Sequence, residues 1–145
     1  MQVEYRLEKL IEFGKTLREK RDEIPFDIVK QKNPWFEKVF VEHALDAVLD
    51  QYLNEEALRS FAEKYEFSDK APKTVGLILA GNIPLVGFHD ILMTYLSGHR
   101  LVVKPSSKDD FLTPLVWQLF ESIDPGAKEQ IKWVEKLEKP DAVIA

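Results

Sequence analysis

Cysteine is missing from this sequence altogether, and its absence excludes more chemistry than any other feature of composition. No disulfide, thiolate metal site or cysteine nucleophile can be built from these 145 residues. A chain without thiols suits a reducing compartment, and the cytoplasm is the expected location. Long apolar runs are absent too, so no segment reaches the length needed to span a bilayer. The opening "MQVEYRLEKLIEF" mixes charge into its apolar positions, unlike a signal peptide. Basic residues are in deficit: 20 Lys and Arg stand against 25 Asp and Glu, a net charge of −5 with no cationic cluster. That balance argues against a nucleic-acid surface, which must replace counterions along phosphates. With six glycines in all, neither the two-glycine dinucleotide fingerprint nor the phosphate loop ending in Gly-Lys-Ser/Thr occurs. The three histidines, His43, His89 and His99, have no metal-ligand spacing.

What is present is an ordinary globular composition, 45% apolar and 31% charged, in one domain's length of chain. Two patterns divide it, with residues 1–70 helical and 71–145 α/β. In the first part Val3, Leu7, Leu10, Ile11 and Leu17 share one helical face. Asn33 followed by Pro34 predicts a cap and first turn for a second helix, whose apolar stripe runs through Trp35, Phe36, Val39, Phe40, Ala44, Leu45, Val48, Leu49 and Tyr52. Asn54, with Glu55 and Glu56 behind it, predicts a third helix over 55–65. The polar link "FSDKAPK" over 67–73 marks the boundary. "LREKRDE" reads as a solvated helix face.

Beyond the link the apolar run "TVGLILA" (74–80) predicts a strand buried on both faces. A helix over 84–97, a strand "LVVK" (101–104), a helix over 108–122 and short strands "IKWVE" (131–135) and "DAVIA" (141–145) follow. This order predicts a parallel sheet with right-handed crossovers. The chain stops on an apolar strand with no polar tail, and its three or four strands are few for an open parallel sheet. The expectation is therefore an N-terminal fragment of a longer protein.

Open parallel sheets bind ligands beyond the carboxyl ends of their strands. Gly81 and Asn82 stand at that end of the first strand, and Lys104 to Ser107 at that end of the second. Two readings remain open for each. Asn82 either caps the next helix or offers its amide to a ligand; Ser106 and Ser107 either cap the following helix or donate to a phosphate, beside a Lys104 that could bind phosphate or ribose. His43, between apolar neighbours, reads as structural. His89 and Asp90, adjacent on one helix, should diverge rather than form a dyad.

The stretch "VGLILAGNIPLVGFHDILMTYLSGHRLVVKPSSKDDFLTPL" resembles the start of the cofactor domain of the aldehyde dehydrogenase superfamily. It is most similar to the acyl-CoA reductase branch typified by the fatty acid reductase of bacterial bioluminescence. Gly76, Asn82, Pro84, Gly98, Val103, Lys104, Pro105 and Ser106 match that pattern in order, over about half the chain. The resemblance implies a Rossmann-like parallel sheet of aldehyde dehydrogenase type and an NADP(H)-dependent reduction of an acyl-CoA or other acyl thioester to an aldehyde. By the same resemblance Asn82 is the oxyanion donor, Lys104 with Ser106 and Ser107 holds the adenosine ribose or its phosphate, and Leu79, Ala80, Gly81 and Ile83 line the nicotinamide side.

Many NAD-preferring relatives carry a glutamate where Ser107 stands, so the resemblance favours NADPH. It implies no metal, and it allows a homo-oligomer or an acyl-transfer partner. Two departures stand out. The superfamily's cysteine is missing, and so is the glycine turn expected after "DAVIA", so the fragment is expected to be inactive alone. The alternatives are a nucleotide-binding or subunit-interaction module without chemistry, and, within the enzyme class, an NAD-dependent aldehyde oxidation.

Overall fold

In the computed structural model residues 2–68 and 70–145 are described. Met1, the first position of the expected helical region, and Asp69, inside the expected 67–73 link, lie outside the described residues.

Helix α1 (Gln2–Lys20) buries Leu7, Leu10, Ile11, Phe13, Gly14 and Leu17, the predicted face widened by an aromatic. A short 3₁₀ turn (Arg21–Glu23) and helix α2 (Phe26–Lys32) follow. The sequence reading missed α2, a seven-residue helix too short to show periodicity. It also misplaced Asn33, which closes α2 rather than capping the next helix. The Asn33 Oδ1 accepts the Trp35 N–H at 3.0 Å and its Nδ2 donates to the Lys108 carbonyl at 2.9 Å, across to the second half of the chain. Helix α3 (Lys38–Ala47) therefore starts after Pro34 and Trp35, and it runs on into a π-helical turn (Val48–Tyr52). Its predicted stripe is only partly inside. Phe36, Leu45, Val48 and Leu49 are buried, whereas Trp35 (77% exposed), Val39 and Phe40 face outward.

Helix α4 (Glu55–Ala62) has the predicted start: Asn54 Oδ1 accepts the Ala57 N–H at 3.1 Å. "LREKRDE" is not simply solvated. Arg21, its side chain only 22% exposed, donates from Nε and Nη2 to the two carboxylate oxygens of Asp46 at 2.7 and 3.0 Å, and from Nη1 to Glu42 at 3.1 Å. That clamp fastens the end of α1 to α3, and its hydrogen bond holds the Asp46 carboxyl below the usual aspartate value.

The four strands, β1 (Thr74–Ile78), β2 (Arg100–Lys104), β3 (Ile131–Trp133) and β4 (Ala142–Ile144), form one all-parallel sheet in the order β3-β2-β1-β4. Leu77 lies beside Val103 on β2 and beside Ile144 on β4. Helix α5 (Phe88–Leu96) packs on β1 and β2, and α1 packs on α5 and on α6 (Leu112–Ile123). A four-residue helix α7 (Ala127–Gln130), not predicted, leads into β3. Gly76 permits the 137–140 segment to cross directly over β1: a Cβ there would lie 2.9 Å from Leu137 Cδ1.

One core runs through both halves, from Leu10, Phe13 and Leu45 to Phe88, Leu101, Trp117 and Phe120. At its centre the ring centroid of Phe13 lies 5.3 Å from Trp117 and 5.0 Å from Phe120. Side chains of this kind contribute about 1.5–3 kcal/mol each on full burial, which is why the helical half and the sheet hold together. At the other end of that cluster Asp124, almost fully buried, accepts the hydroxyls of Tyr95 at 2.8 Å and Tyr5 at 3.0 Å. No helix among the described residues is long and apolar enough to cross a membrane.

Candidate functional site

The sheet's carboxyl end is built by two loops. The first, residues 79–87, leaves β1 and turns into α5, which begins at Phe88, later than the predicted start at 84. Asn82 therefore does not cap α5; Gly87 occupies the cap position, and no side-chain hydrogen bond supports that end. Pro84 and Val86 lie in turns, closed by Val86 N–H to Ile83 carbonyl (3.3 Å) and Phe88 N–H to Leu85 carbonyl (3.1 Å). Leu85 is held at φ 59°, a left-handed conformation that costs a non-glycine residue about 1–3 kcal/mol. Its side chain is buried, and that packing offsets the strain. The Asn82 side chain is exposed and makes no hydrogen bond among the described residues. Its amide is left to the solvent side of the loop.

The second loop, residues 105–111, leaves β2 and turns into α6. Neither Ser106 nor Ser107 caps that helix. Asp109 does: its Oδ1 accepts the N–H groups of Leu112 and Thr113 at 3.0 and 3.3 Å, and its Oδ2 accepts the Thr113 hydroxyl at 2.7 Å. Ser106 Oγ instead accepts the Lys108 N–H at 3.1 Å, a turn inside the loop. The signal for Asp109 was in the sequence, an aspartate three residues before "LTP" with proline in the first turn.

Contact between the two loops is close. The Leu79 N–H donates to the Lys104 carbonyl at 3.0 Å. Gly81 is buried against Ser106, where a Cβ would sit 2.6 Å from Ser106 Oγ and 3.0 Å from the Asp109 nitrogen. Gly81 is thus a spacing device. Its lack of a side chain lets the loops touch, and the predicted site residues divide on either side of it.

On one side, Asn82 and Ile83 line a groove of about 510 Å³ with Trp35, Phe40, Ala47, Val48 and Tyr52 from α3 and the π-helical turn. This groove is mainly apolar, with His43, Gln51 and Asn82 as polar groups on its wall. His43 is exposed there rather than packed in the core. On the other side Leu79, Lys104, Ser106 and Ser107 line a second groove of about 540 Å³, across the carboxyl ends of β1, β2 and β3. Asp110, Trp133 and Glu135 complete it, three residues the sequence reading did not select because they are far from Lys104 in the chain or masked by the next helix. Lys104 is exposed and forms no ion pair among the described residues. Ala80 is exposed between the two sets and lines neither groove.

The remaining ionisable candidates do not converge. His99 Nδ1 accepts the Lys73 N–H at 3.0 Å, a structural tie. His89 Nδ1 comes to 3.9 Å from Asp90 Oδ1, nearer than adjacent helix positions suggest but beyond hydrogen-bond length, and its ring lies 5.3 Å from that of Tyr52. Among the described residues no group of His, Cys, Asp and Glu is arranged to hold a metal ion.

The chemistry this arrangement offers is specific. Among the described residues an amide donor without a partner edges an apolar groove, and beyond one glycine lies a separate groove with an unpaired cation and hydroxyls. Comparison with known proteins returned no match among curated sequences. Residues 4–137, however, match a protein family described as acyl-CoA reductase (LuxC). The match takes in the helical half as well as both loops, and on it the chain belongs to the acyl-CoA reductase (LuxC) family.

Proposed function

We propose that this chain is the N-terminal part of a cytoplasmic, NADPH-dependent acyl-CoA reductase of aldehyde dehydrogenase type, which reduces a fatty acyl thioester to the aldehyde. Residues 1–70 form a helical region and 71–145 the first part of the NAD(P)-binding α/β domain, packed on a shared core. The nucleophile is a cysteine thiolate supplied from outside these 145 residues, none of which carries a thiol. The observation that carries the reading is the division about Gly81: among the described residues, an uncommitted amide at Asn82 on an apolar groove, and an uncommitted Lys104 in one with more polar lining.

In this reading the acyl chain lies along the groove of Trp35, Phe40 and Tyr52, where burying each methylene contributes about 0.8 kcal/mol. The thiolate attacks the thioester carbonyl carbon; a carbon–sulfur bond forms and the carbonyl electrons move to oxygen. The Asn82 Nδ2 donates to that oxyanion, and the charge develops where the donor is already waiting. Collapse expels the CoA thiolate and leaves an acyl-enzyme. NADPH, when bound, would supply the hydride for this thioester carbonyl; the resulting thiohemiacetal oxyanion, again facing the Asn82 amide, collapses with cleavage of the carbon–sulfur bond, which releases the aldehyde and returns the thiolate. The donor set of the second groove fits such a dinucleotide: Lys104 and the exposed Ser107 offer a cation and a hydroxyl, and its volume falls in the range of nucleotide-sized sites. Leu79, Ala80, Gly81 and Ile83, on the loop between the two grooves, line the nicotinamide side through their backbone, so that cofactor and acyl carbon meet beside Gly81.

One observation favours a second reading, a module that binds a partner without chemistry. Trp35, Val39 and Phe40, three large apolar side chains within six residues, are all exposed on the helical half. The test separates the two. The 145-residue chain should bind NADPH and a long-chain acyl-CoA but turn over neither. A complete cysteine-bearing enzyme should release aldehyde. Turnover by the 145 residues alone, or failure to bind both ligands, overturns the proposal.

A further inference from the structure

Two adjacent aspartates, Asp109 and Asp110, leave β2 together and end in different places. Asp109 is buried and spent on the α6 cap, with both carboxylate oxygens occupied. Asp110 is exposed, lines the groove with Lys104, Ser106 and Ser107, and forms no hydrogen bond or ion pair among the described residues. Asp109 is turned inward to hold Leu112 and Thr113, while its neighbour stays at the surface, on the border between this groove and a small pocket beside Asn33 and Phe36. Glu135 borders the same groove from the end of β3.

A carboxylate in a nucleotide groove acts on ribose in opposite ways. It accepts hydrogen bonds from a vicinal diol and repels a phosphate at the same position. Ser107 imposes no such penalty, yet Asp110, three positions later, returns a negative charge to the groove that Lys104 serves. We infer that Asp110 is a specificity-determining residue that sets the preference between phosphorylated and unphosphorylated nicotinamide dinucleotides, weakening the hold on the 2′-phosphate that Lys104 and Ser107 supply. This inference rests on the dinucleotide reading of the groove given above.

The test is calorimetric titration of the native chain, Asp110→Asn and Glu135→Gln with NADP⁺ and with NAD⁺, at low and at high salt. Asp110 is exposed and unpaired, so its neutralisation should leave the thermal midpoint unchanged. For D110N the ratio of NADP⁺ to NAD⁺ affinity should rise about five- to tenfold at low salt, with the rise shrinking at high salt as screening takes over. A ratio unchanged in D110N while both dinucleotides still bind overturns the inference and leaves the cofactor reading standing. A rise in E135Q instead of D110N also overturns it, by placing the deciding charge in the segment after β3. Binding of neither dinucleotide to the native chain overturns the cofactor reading itself, and this inference with it.

Discussion

Gly81 and Ser106 touch, although they belong to loops that leave different strands. The place where a Gly81 Cβ would stand is 2.7 Å from the Ser106 Cβ and 2.6 Å from its hydroxyl oxygen. The obstruction comes from a loop pinned by Asp109 to α6 and by Asn33 to the end of α2, and entered from Lys104, which the Leu79 N–H holds at the end of β2. It has little room to give.

Gly81→Ala should therefore act on both grooves at once. Forcing a methyl group into the contact costs about 1–3 kcal/mol, so the urea midpoint should fall, and NADP⁺ and acyl-CoA should both bind more weakly. A variant as stable as the native chain with unchanged titrations would show that the loops separate freely.

Asn82→Ala should leave stability alone, because the side chain neither caps α5 nor makes any hydrogen bond among the described residues. In a complete cysteine-bearing enzyme the same change should lower kcat by about 10²–10³-fold, the usual effect of losing one oxyanion donor. A loss of about 1 kcal/mol in unfolding free energy with kcat intact would return Asn82 to the role of a cap.

Asp109→Ala orphans two backbone N–H groups and the Thr113 hydroxyl, a loss of about 1–2 kcal/mol. Asp109→Asn keeps the Oδ1 acceptor and should lose distinctly less. Chemical denaturation of the pair decides it; equal losses would mean that the carboxylate charge, not the cap, is what matters.

Tyr95 gives a pH signature. Burial, together with the hydrogen bond and charge of Asp124, raises its pKa above the ordinary value of 10.0. Its folded-state pKa lies above the unfolded one, so its stabilising effect is complete below about pH 10 and is lost as the pH rises beyond it. Thermal midpoints should fall more steeply above pH 10 in the native chain than in Tyr95→Phe. The variant should itself be less stable at pH 7, because Asp124 remains buried with one donor fewer.

Much of this architecture was legible in the chain. The β1 and β2 runs are apolar because both faces of a parallel strand are covered, and that pattern needs no tertiary information. The Asn54 cap was equally local, an amide three positions from the N–H it accepts. Asn33 shows where such reading stops. Its composition is that of an N-cap, but its amide is drawn 75 residues along the chain to Lys108, and no local rule anticipates that competitor. The stripe on α3 failed for a similar reason. Periodicity shows that Trp35, Phe40 and Leu45 are apolar, not which of them meets a neighbour.

By itself the sequence determined the order of the four strands and of the longer helices around them, the strand-end positions of Asn82 and Lys104, and the absence of any thiol. Those properties follow from local residue type and periodicity. Only the tertiary structure decided that Asn82 and Lys104 open onto different grooves, that Asp109 rather than a serine caps α6, and that Asp110 shares the groove with Lys104. These depend on contacts between loops far apart in the chain, where a glycine's missing side chain and a buried aspartate's hydrogen bonds set which groups are consumed by the fold and which remain for a ligand.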